Sequence, residues 1–290
     1  MHYCGWWSNK TVLLDKKLHK SVKEQFNLEN KTILITGGAG FLGYYFAEAM
    51  AEMNANTIIV DKNPKTIAET KNKLFNNGYN VDSYEINITE FNSVKKVVED
   101  IIDNYKQIDV LINAAQYSDE KSNKKFEDYE LKYWQNSLDV NLTGLFLTTQ
   151  AVGKQMKVQK KGGVIVNVAS DVGIISPDHR IYQPDKRFDY EGVPFNTPID
   201  YSVSKAGVLA FTRFLATYWA KDSIRVNSIS PAGVYNNQDS KFVEQLSYRI
   251  PLNRMADPNE LKGPLVYLCS EASSFMTGAN LVVDGGRTIW

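Results

Sequence analysis

Short, continuous apolar runs recur along the chain, and most are followed by a stretch whose apolar residues repeat at helical spacing. Runs without alternating polar residues are typical of strands buried on both faces of a parallel sheet. The pattern predicts seven strands, at Thr32–Ile35, Thr57–Asp61, Asn80–Ile86, Ile108–Asn113, Gly163–Ser170, Ile224–Ser230 and Leu281–Asp284.

Helices are predicted between these strands. One helix begins at Phe41, one runs from Pro64 to Asn77, and one follows a Thr89 cap and runs to Tyr105. The others cover Glu127–Gln159, Asp200–Lys221, Asp239–Arg249 and Asp257–Cys269. Strands that alternate with helices indicate an α/β fold, here an open, doubly wound parallel sheet of the Rossmann type. Nothing resembling an interdomain linker interrupts it, so we expect a single domain over residues 28–290.

Residues 1–27 precede the first strand and are interpreted as an N-terminal extension. Leu14, Leu18, Val22 and Phe26 recur every four residues, which predicts a short amphipathic helix. Tryptophans at positions 6 and 7 beside several basic residues are compatible with a membrane surface. We favour an arm that packs on its own subunit or on a neighbouring one.

Composition excludes several classes of protein. The formal net charge is +0 and the pI about 6.8, so the chain has no electrostatic footprint for nucleic acid. Two cysteines, Cys4 and Cys269, make no disulfide framework and fit a reducing cytoplasm. The three histidines show no metal-ligand spacing, and no apolar run is long enough to span a membrane. We expect a cytoplasmic protein with a small-molecule substrate and no metal.

The first strand leads into a glycine-rich loop and then a helix. Its glycines are Gly37, Gly38, Gly40 and Gly43. Glycine lets the backbone approach a ligand closely, and a helix N-terminus attracts a pyrophosphate. The second strand ends in Asp61, which can accept hydrogen bonds from an adenosine ribose and would repel a 2′-phosphate. The sequence therefore predicts a dinucleotide site that prefers NAD to NADP, although Lys62 and Lys65 partly soften that repulsion.

Tyr201 and Lys205 lie four positions apart on a predicted helix, so they share one face. The lysine charge would lower the pKa of the phenol and make it a general acid/base for interconverting an alcohol and a carbonyl. Ser170 ends the fifth strand, where its hydroxyl could bind a substrate oxygen or cap a helix. Asn113 ends the fourth strand, and Asn141 lies in the long helix.

Seven short motifs together resemble the short-chain dehydrogenase/reductase family from Lys31 to Gly286. They are T-G-G-A-G-F-L-G at 36–43, N-A-A-Q at 113–116, V-N-L-T-G at 140–144, N-V-A-S at 167–170, Y-S-V-S-K at 201–205, S-P-A-G at 230–233 and V-D-G-G at 283–286. The resemblance implies a catalytic tetrad of Asn141, Ser170, Tyr201 and Lys205. In it Lys205 also binds the nicotinamide ribose, and Asn141 helps to hold a proton-relay water.

The same resemblance implies the cofactor contacts. They are Gly37, Gly40, Phe41, Leu42, Gly43, Asp61, Asn87, Ile88, Asn113, Ala114, Ala115, Tyr201, Lys205, Pro231, Gly233 and Val234. The glycine spacing is that of the longer, nucleotide-sugar-modifying branch of the family, whereas the other motifs match the shorter branch. Gln116 stands where the family usually has glycine, and Asn87 where it usually has aspartate. These two differences concern the detailed geometry of the bound cofactor. The family also implies a homodimer or homotetramer built on the two long helices.

Ser170 and Tyr201 are 31 positions apart, further than the family norm. The inserted stretch, 176–200, is polar and begins and ends beside the predicted active site, so it is a candidate specificity loop. We predict a sugar or sugar-conjugate substrate met by residues such as His179, Arg180, Lys186 or Arg187, with Tyr235 in a lid over 234–250. The alternative is an oligomer-contact or surface loop.

The sequence favours an NAD-dependent dehydrogenase, with a softer resemblance to dehydrogenases of surface-glycan and flagellin modification. A nucleotide-sugar epimerase or dehydratase with retained NAD and a non-catalytic NAD-binding scaffold are the alternatives. A second tyrosine–lysine pair, Tyr182 and Lys186, is disfavoured because Pro184 interrupts the helix that it would need.

Overall fold

The structure is a computed structural model that describes residues 20–117, 119, 124–182 and 196–290. Seven parallel strands form one sheet in the order β3-β2-β1-β4-β5-β6-β7. The strands are β1 Thr32–Thr36, β2 Asn56–Asp61, β3 Asp82–Glu85, β4 Val110–Asn113, β5 Gly163–Val168, β6 Ile224–Pro231 and β7 Asn280–Val283. The predicted single-domain, doubly wound fold is confirmed.

The helices cover both faces of this sheet. They are α1 Val22–Gln25, α2 Phe41–Glu52, α3 Pro64–Asn76, α4 Phe91–Tyr105, α5 Leu131–Leu138, α6 Leu145–Gln159, α7 Ile199–Tyr218, α8 Ser240–Ser247 and α9 Lys262–Cys269. Ile33 and Ile35 of β1 pack in the core against α2 and α9, whereas Leu34 points to the opposite core under α4, α6 and α7. This alternation explains why β1 reads as an uninterrupted apolar run.

The predicted helix over Glu127–Gln159 is broken. A 3₁₀ turn at Phe126–Asp128 precedes α5, and a π-helical turn at Asp139–Gly144 joins α5 to α6. A π turn inserts one residue into the helical repeat, and such turns are frequent at functional sites. The predicted continuous helix was therefore wrong at the position of Asn141.

Two predicted helix starts differ in the structure. Thr89 does not cap α4: Glu90 occupies the N-cap position without a side-chain bond, and the Thr89 hydroxyl donates to Asn87 Oδ1 instead, at 2.9 Å. The predicted helix at 257–269 begins as a 3₁₀ turn, Pro258–Leu261, capped by Asp257.

Part of the predicted N-terminal helix falls within the described residues. Ser21 and Glu24 form a capping box at the start of α1, Val22 is exposed, and the ring of Phe26 packs on Tyr267 with centroids 6.3 Å apart. Leu14, Leu18 and both tryptophans of the extension lie outside the described residues. Among the helices that the structure describes, none has the length and apolarity to cross a bilayer.

Gly43 tests how tightly the glycine loop is packed. A Cβ at Gly43 would lie 2.0 Å from the carbonyl oxygen of Gly37, and backbone cannot yield as a flexible side chain does. We expect Gly43→Ala to destabilise the protein by at least about 2 kcal/mol and to abolish dinucleotide binding. Thermal unfolding and fluorescence titration with NADH measure the two effects.

Gly263 in α9 is the matched control, because a Cβ there would meet nothing within 4 Å. Gly263→Ala should leave NADH binding unchanged and raise stability by about 0.5–1 kcal/mol. Equal stability of the two variants would contradict the packing argument.

Candidate active site

The carboxyl ends of β1, β4, β5 and β6 meet at one edge of the sheet, where the strand order reverses direction between β1 and β4. Ligands of open α/β sheets bind at such switch points. A cleft of about 540 Å³ opens there, and Phe41, Leu42, Ser170, Tyr201 and Pro231 are among the residues that line it. The predicted glycine loop and catalytic residues are therefore brought to one place.

The glycine loop lies tightly against the end of β4. Gly37 has φ +64°, and a Cβ there would approach Ala115 Cα to 2.5 Å, so a side chain is excluded on both counts. Gly40 is the N-cap of α2, and no side chain caps this helix. The N–H groups of its first turn are thus left for an external acceptor such as a phosphate.

Asp61 ends β2, the strand next to β1, and its Oδ1 accepts the Lys62 N–H at 2.8 Å. A carboxylate beyond the second strand and uncapped N–H groups beyond the first are the two polar features that a dinucleotide needs. The loop residues therefore fit such a cofactor.

Asn87 uses its side chain within its own turn. Its Nδ2 donates to Glu90 Oε1 at 2.7 Å, and its Oδ1 accepts from the Thr89 N–H and hydroxyl. Its neighbour Ile88 packs against Gly144, where a Cβ would come within 2.7 Å of the isoleucine. The loop is thereby fixed against the π turn.

Asn113 connects neighbouring elements of the fold at the end of β4. Its Nδ2 donates to Thr149 Oγ1 and to Asn167 Oδ1, both at 2.9 Å, which links β4 to α6 and β5. Its own Oδ1 is buried without a hydrogen-bond partner among the described residues. The adjacent Ala114 and Ala115 N–H groups donate to the main chain and side chain of Thr36.

Asn141 is buried in the π turn rather than solvated. Its Oδ1 accepts the Tyr117 N–H at 2.8 Å, and its Nδ2 donates to the hydroxyls of Ser137 and Ser204 at 3.1 and 3.0 Å. Ser204 lies next to Lys205 in α7. The turn thus connects Asn141 to the helix that carries the tyrosine and lysine.

Lys205 is buried, and its Nζ donates to the carbonyl oxygen of Val168 at 2.9 Å. The same Nζ lies 5.6 Å from the centroid of the Tyr201 ring. Among the described residues this carbonyl is the one hydrogen-bond partner of an ammonium with three donors. Lys205 can therefore also hold ribose hydroxyls, as the family resemblance implies.

The pKa of Tyr201 moves against our expectation. Its pKa is raised to about 12: burial is the largest cause, Asp171 and Tyr182 add to the rise, and a hydrogen bond with Ser170 opposes it. Burial also lowers the pKa of Lys205 to about 8. In the protein alone, desolvation of the phenolate outweighs the attraction of the ammonium.

The described parts of the inserted segment pack against α8. Ile181 is buried with Leu246, Ile250 and Met255, and the Tyr182 ring stacks on Phe242 with centroids 5.8 Å apart. Asp178 pairs with Arg249, just after α8. The segment and α8 thus share one small core.

The predicted substrate residues do not converge on the cleft. Arg180 pairs back onto Asp178 with its side chain 83% exposed. Neither it nor His179 nor Tyr235 lines the cleft in the part of the chain that is described. Arg187, like Lys186 of the second tyrosine–lysine pair, lies outside the described residues.

Other polar side chains line the cleft instead. Tyr182, Thr197 and Asp200 lie in the predicted inserted stretch and Asn236 and Gln238 in the predicted lid, whereas sequence reasoning missed Tyr117, Asp119, Asp171 and Arg287. Arg287 follows the V-D-G-G motif directly. That motif was a usable signal, because Gly285 and Gly286 take φ +63° and +92° and turn the chain back into the cleft.

Comparison with known proteins agrees with this geometry. A short chain dehydrogenase model matches residues 31–182, and an Enoyl-(Acyl carrier protein) reductase model matches 190–288. An NAD-dependent glycerol dehydrogenase of Listeria innocua is 31% identical over 93% of this chain and 98% of its own. An NADP-dependent mannitol dehydrogenase of Hypocrea jecorina is also 31% identical, over 91% and 94%.

Among solved structures, a short chain dehydrogenase of Leptospira borgpetersenii with bound NAD⁺ superposes with a TM-score of 0.80 at 33% identity. The match covers 93% of this chain and 98% of that one. The similarity thus extends over the sheet, the glycine loop and the tetrad together. The chain belongs to the short-chain dehydrogenase/reductase family and is an NAD(P)-dependent oxidoreductase that acts on alcohol or ketone substrates.

Proposed function

We propose that the protein is an NAD-dependent dehydrogenase that interconverts a secondary alcohol and a ketone on a neutral, polyhydroxylated substrate such as a sugar alcohol or keto-sugar. The observation that carries the reaction is that Ser170 and Tyr201 line the cleft beside the glycine loop, with the buried Lys205 ammonium 5.6 Å from the Tyr201 ring. The curated relatives described above, a glycerol and a mannitol dehydrogenase, support a polyol or its ketone as the substrate class.

The charge of the cleft supports a neutral substrate. Three carboxylates line it, those of Asp119, Asp171 and Asp200. Among the described lining residues Arg287 is the one guanidinium, and it is already paired with Asp171. Among the described lining residues carboxylates thus outnumber guanidinium groups, and hydroxyl groups match the amides, phenols and carboxylates that are present.

Each residue has a separate role in the oxidation of an alcohol. Tyr201 as phenolate accepts the hydroxyl proton, and the Ser170 hydroxyl donates to the substrate oxygen. Lys205 favours the phenolate by its charge and holds ribose hydroxyls. A bound nicotinamide supplies the hydride acceptor, or the donor in the reverse direction, that these side chains lack.

Proton return to solvent would pass near Asn141. Its amide joins the Tyr117 backbone to Ser204, beside Lys205. Because this amide is buried in a π turn, a water bound to it would be held in a fixed position. This placement supports the relay role that the family resemblance implies.

NAD is the cofactor that we favour. The Asp61 carboxylate lies beyond β2, where it would repel a 2′-phosphate, and Lys62 and Lys65 only partly offset that charge. The relatives include users of each nucleotide, so the argument depends on this carboxylate.

The inserted segment and α8 form the substrate-side wall and lid in this proposal. Their shared core around Ile181 would make them close as one unit over the cleft. A role in surface-glycan metabolism, and a cytoplasmic location, stay predictions from the sequence.

The exposed apolar face of α6 and α7 supports assembly into a dimer or tetramer. Phe146, Val158, Phe214 and Tyr218 are each at least 45% exposed there and surround a groove of about 570 Å³. A contiguous apolar surface of this kind marks an interaction site.

The first prediction concerns turnover. With a panel of polyols and keto-sugars, free, phosphorylated and nucleotide-linked, we expect activity on neutral members and a lower KM for NAD than for NADP. Tyr201→Phe should lose at least about 10²-fold in kcat while NAD still binds, because the proton acceptor is gone.

Near-normal turnover in Tyr201→Phe would remove the tyrosine from this role. Tightly retained NAD without net redox change would favour the epimerase or dehydratase. NAD binding without turnover on any member would favour the scaffold.

The second prediction separates activity from stability at Lys205. Since its pKa is lowered to about 8, the folded protein holds this proton less tightly than the unfolded chain, whose lysine keeps the ordinary 10.5. Lys205→Met should therefore abolish turnover and still stabilise the protein, by about 2–3 kcal/mol below pH 8. The gain should fade as the pH rises towards 10.5, which denaturant unfolding at several pH values can follow.

Lys262→Met is the opposite control. Lys262 bonds to Glu48 and Glu52, which raise its pKa, so its loss should destabilise the protein. A Lys205→Met variant less stable than the wild type at pH 7 would contradict the burial argument.

The third prediction concerns assembly. Phe214→Asp should shift the mass measured by light scattering towards the monomer, because a charge would be placed on the apolar face of α7. Phe75→Asp is the matched control, since Phe75 is 70% exposed on α3, far from that face in the sheet order. The same assembly state in the wild type and both variants would exclude this face as the interface.

A further inference from the structure

A buried ion pair lies next to the catalytic serine, and the reaction as described so far does not use it. Asp171 follows Ser170 directly and is 3% exposed, and Arg287 is 8% exposed. Arg287 Nη1 donates to Asp171 Oδ2, although the two residues are 116 positions apart. Both line the cleft.

The pair is connected to Ser170 by a hydrogen bond. The Ser170 hydroxyl donates to Asp171 Oδ1 at 2.9 Å, and the same oxygen accepts the Val172 N–H at 2.8 Å. A hydroxyl has a single proton, so Ser170 donates to one acceptor at a time. Asp171, the Tyr201 oxygen and the substrate oxygen therefore compete for it.

The guanidinium is held in place by the turn after β7. Asp284 Oδ1 accepts the Gly286 N–H at 2.8 Å, and Asp284 Oδ2 accepts the Thr288 N–H at 2.7 Å. A Cβ at Gly286 would come within 2.9 Å of Pro251. Arg287 thus enters the cleft from a turn whose backbone is fixed on both sides of it.

We propose that Asp171 and Arg287 are positioning residues of the active site: Asp171 orients the Ser170 hydroxyl, and Arg287 offsets the carboxylate charge that Tyr201 would otherwise face. A carboxylate paired with a guanidinium is a weaker acceptor than an isolated one, so Ser170 can turn from it to the substrate oxygen. The same pairing lowers the electrostatic cost of forming the phenolate. The proposal depends on the proposed role of Tyr201 as the proton acceptor.

Several titratable or charged groups surround Tyr201. They are Lys205 on its own helix, Asp200 before it in the chain, Asp171 after β5, Tyr182 in the inserted segment and Arg287 after β7. Asp200 accepts a hydrogen bond from Tyr129, and Lys205 is common to every variant below. The charge of Asp171 raises the pKa of both Tyr201 and Tyr182, and Arg287 lowers that of Tyr182. Changes at Asp171 and Arg287 should therefore move the pH dependence in opposite directions.

The test compares pH profiles of kcat for alcohol oxidation in the wild type, Arg287→Met, Asp171→Asn and the double variant. Arg287→Met should move the rising limb to higher pH by about one unit and lower kcat about tenfold at neutral pH. Asp171→Asn should move the limb to lower pH, and the double variant should return it close to the wild-type position. Arg287→Lys, which keeps the charge, should leave the limb in place.

A purely structural pair would lower kcat in all variants without moving the limb, and that result would overturn the proposal. Arg254→Met is the matched control, because Arg254 pairs with Glu260 on the surface and its loss should leave the limb unmoved. If Arg287→Met does not fold because Asp171 is left unpaired, Asp171→Asn and the double variant decide between the outcomes.

A second measurement separates this proposal from the substrate proposal. Proton release on addition of NAD⁺, followed with an indicator dye, needs no substrate, and Tyr201→Phe identifies the part due to Tyr201. A Tyr201-dependent release whose pH midpoint moves with Arg287 supports the pair even if the substrate panel is inactive. Turnover on the panel with unmoved profiles in both single variants overturns the pair and leaves the dehydrogenase proposal intact.

Discussion

The active site depends on keeping an ammonium group where water does not reach. Lys205 lies in the buried face of α7, and the carbonyl of Val168 at the end of β5 is the partner that holds it there. This contact ties α7 to the end of β5 one helical turn after Tyr201. Ser204 and Asn141 then extend the contact to the π turn. A helix that moved away from β5 would lose the lysine, the tyrosine and the relay together.

Burial of Tyr201 and Lys205 shifts the pKa of both groups and opposes the charged form of each. The same desolvation that lowers the pKa of Lys205 raises that of Tyr201, so without a bound ligand the phenol holds its proton more tightly and the ammonium less tightly. Positive charge brought by a ligand lowers the pKa of Tyr201, whereas positive charge removed from the protein raises it. A catalytic pair in this state is sensitive to its neighbours, which is why a carboxylate beside Ser170 matters.

The sequence predicted the centre of the sheet well because β1, β2 and β4 to β6 are largely buried, and this burial is visible as apolar runs. Strand-end position and helical spacing made Ser170, Tyr201 and Lys205 candidates, and the family resemblance joined them with Asn141 into a tetrad, which stays a prediction. The π turn could not be predicted, since one extra residue hardly alters an apolar repeat. The outward direction of Arg180 depends on its bond to Asp178, two positions away, and the approach of Arg287 to Asp171 depends on two glycines with positive φ. The rise in the pKa of Tyr201 depends on burial, which single residues do not reveal.

The distance along the chain between Asp171 and Arg287 has a consequence for how the enzyme is made. The carboxylate beside Ser170 is synthesised 116 residues before its guanidinium partner, which follows β7, the strand that pairs with β6 at the edge of the sheet. Until that last strand docks, a chain that already contains Ser170, Tyr201 and Lys205 keeps an unpaired charge at its centre. An incomplete or C-terminally damaged chain would therefore be catalytically inactive as well as unstable. Measurable turnover would then indicate that the whole sheet has formed.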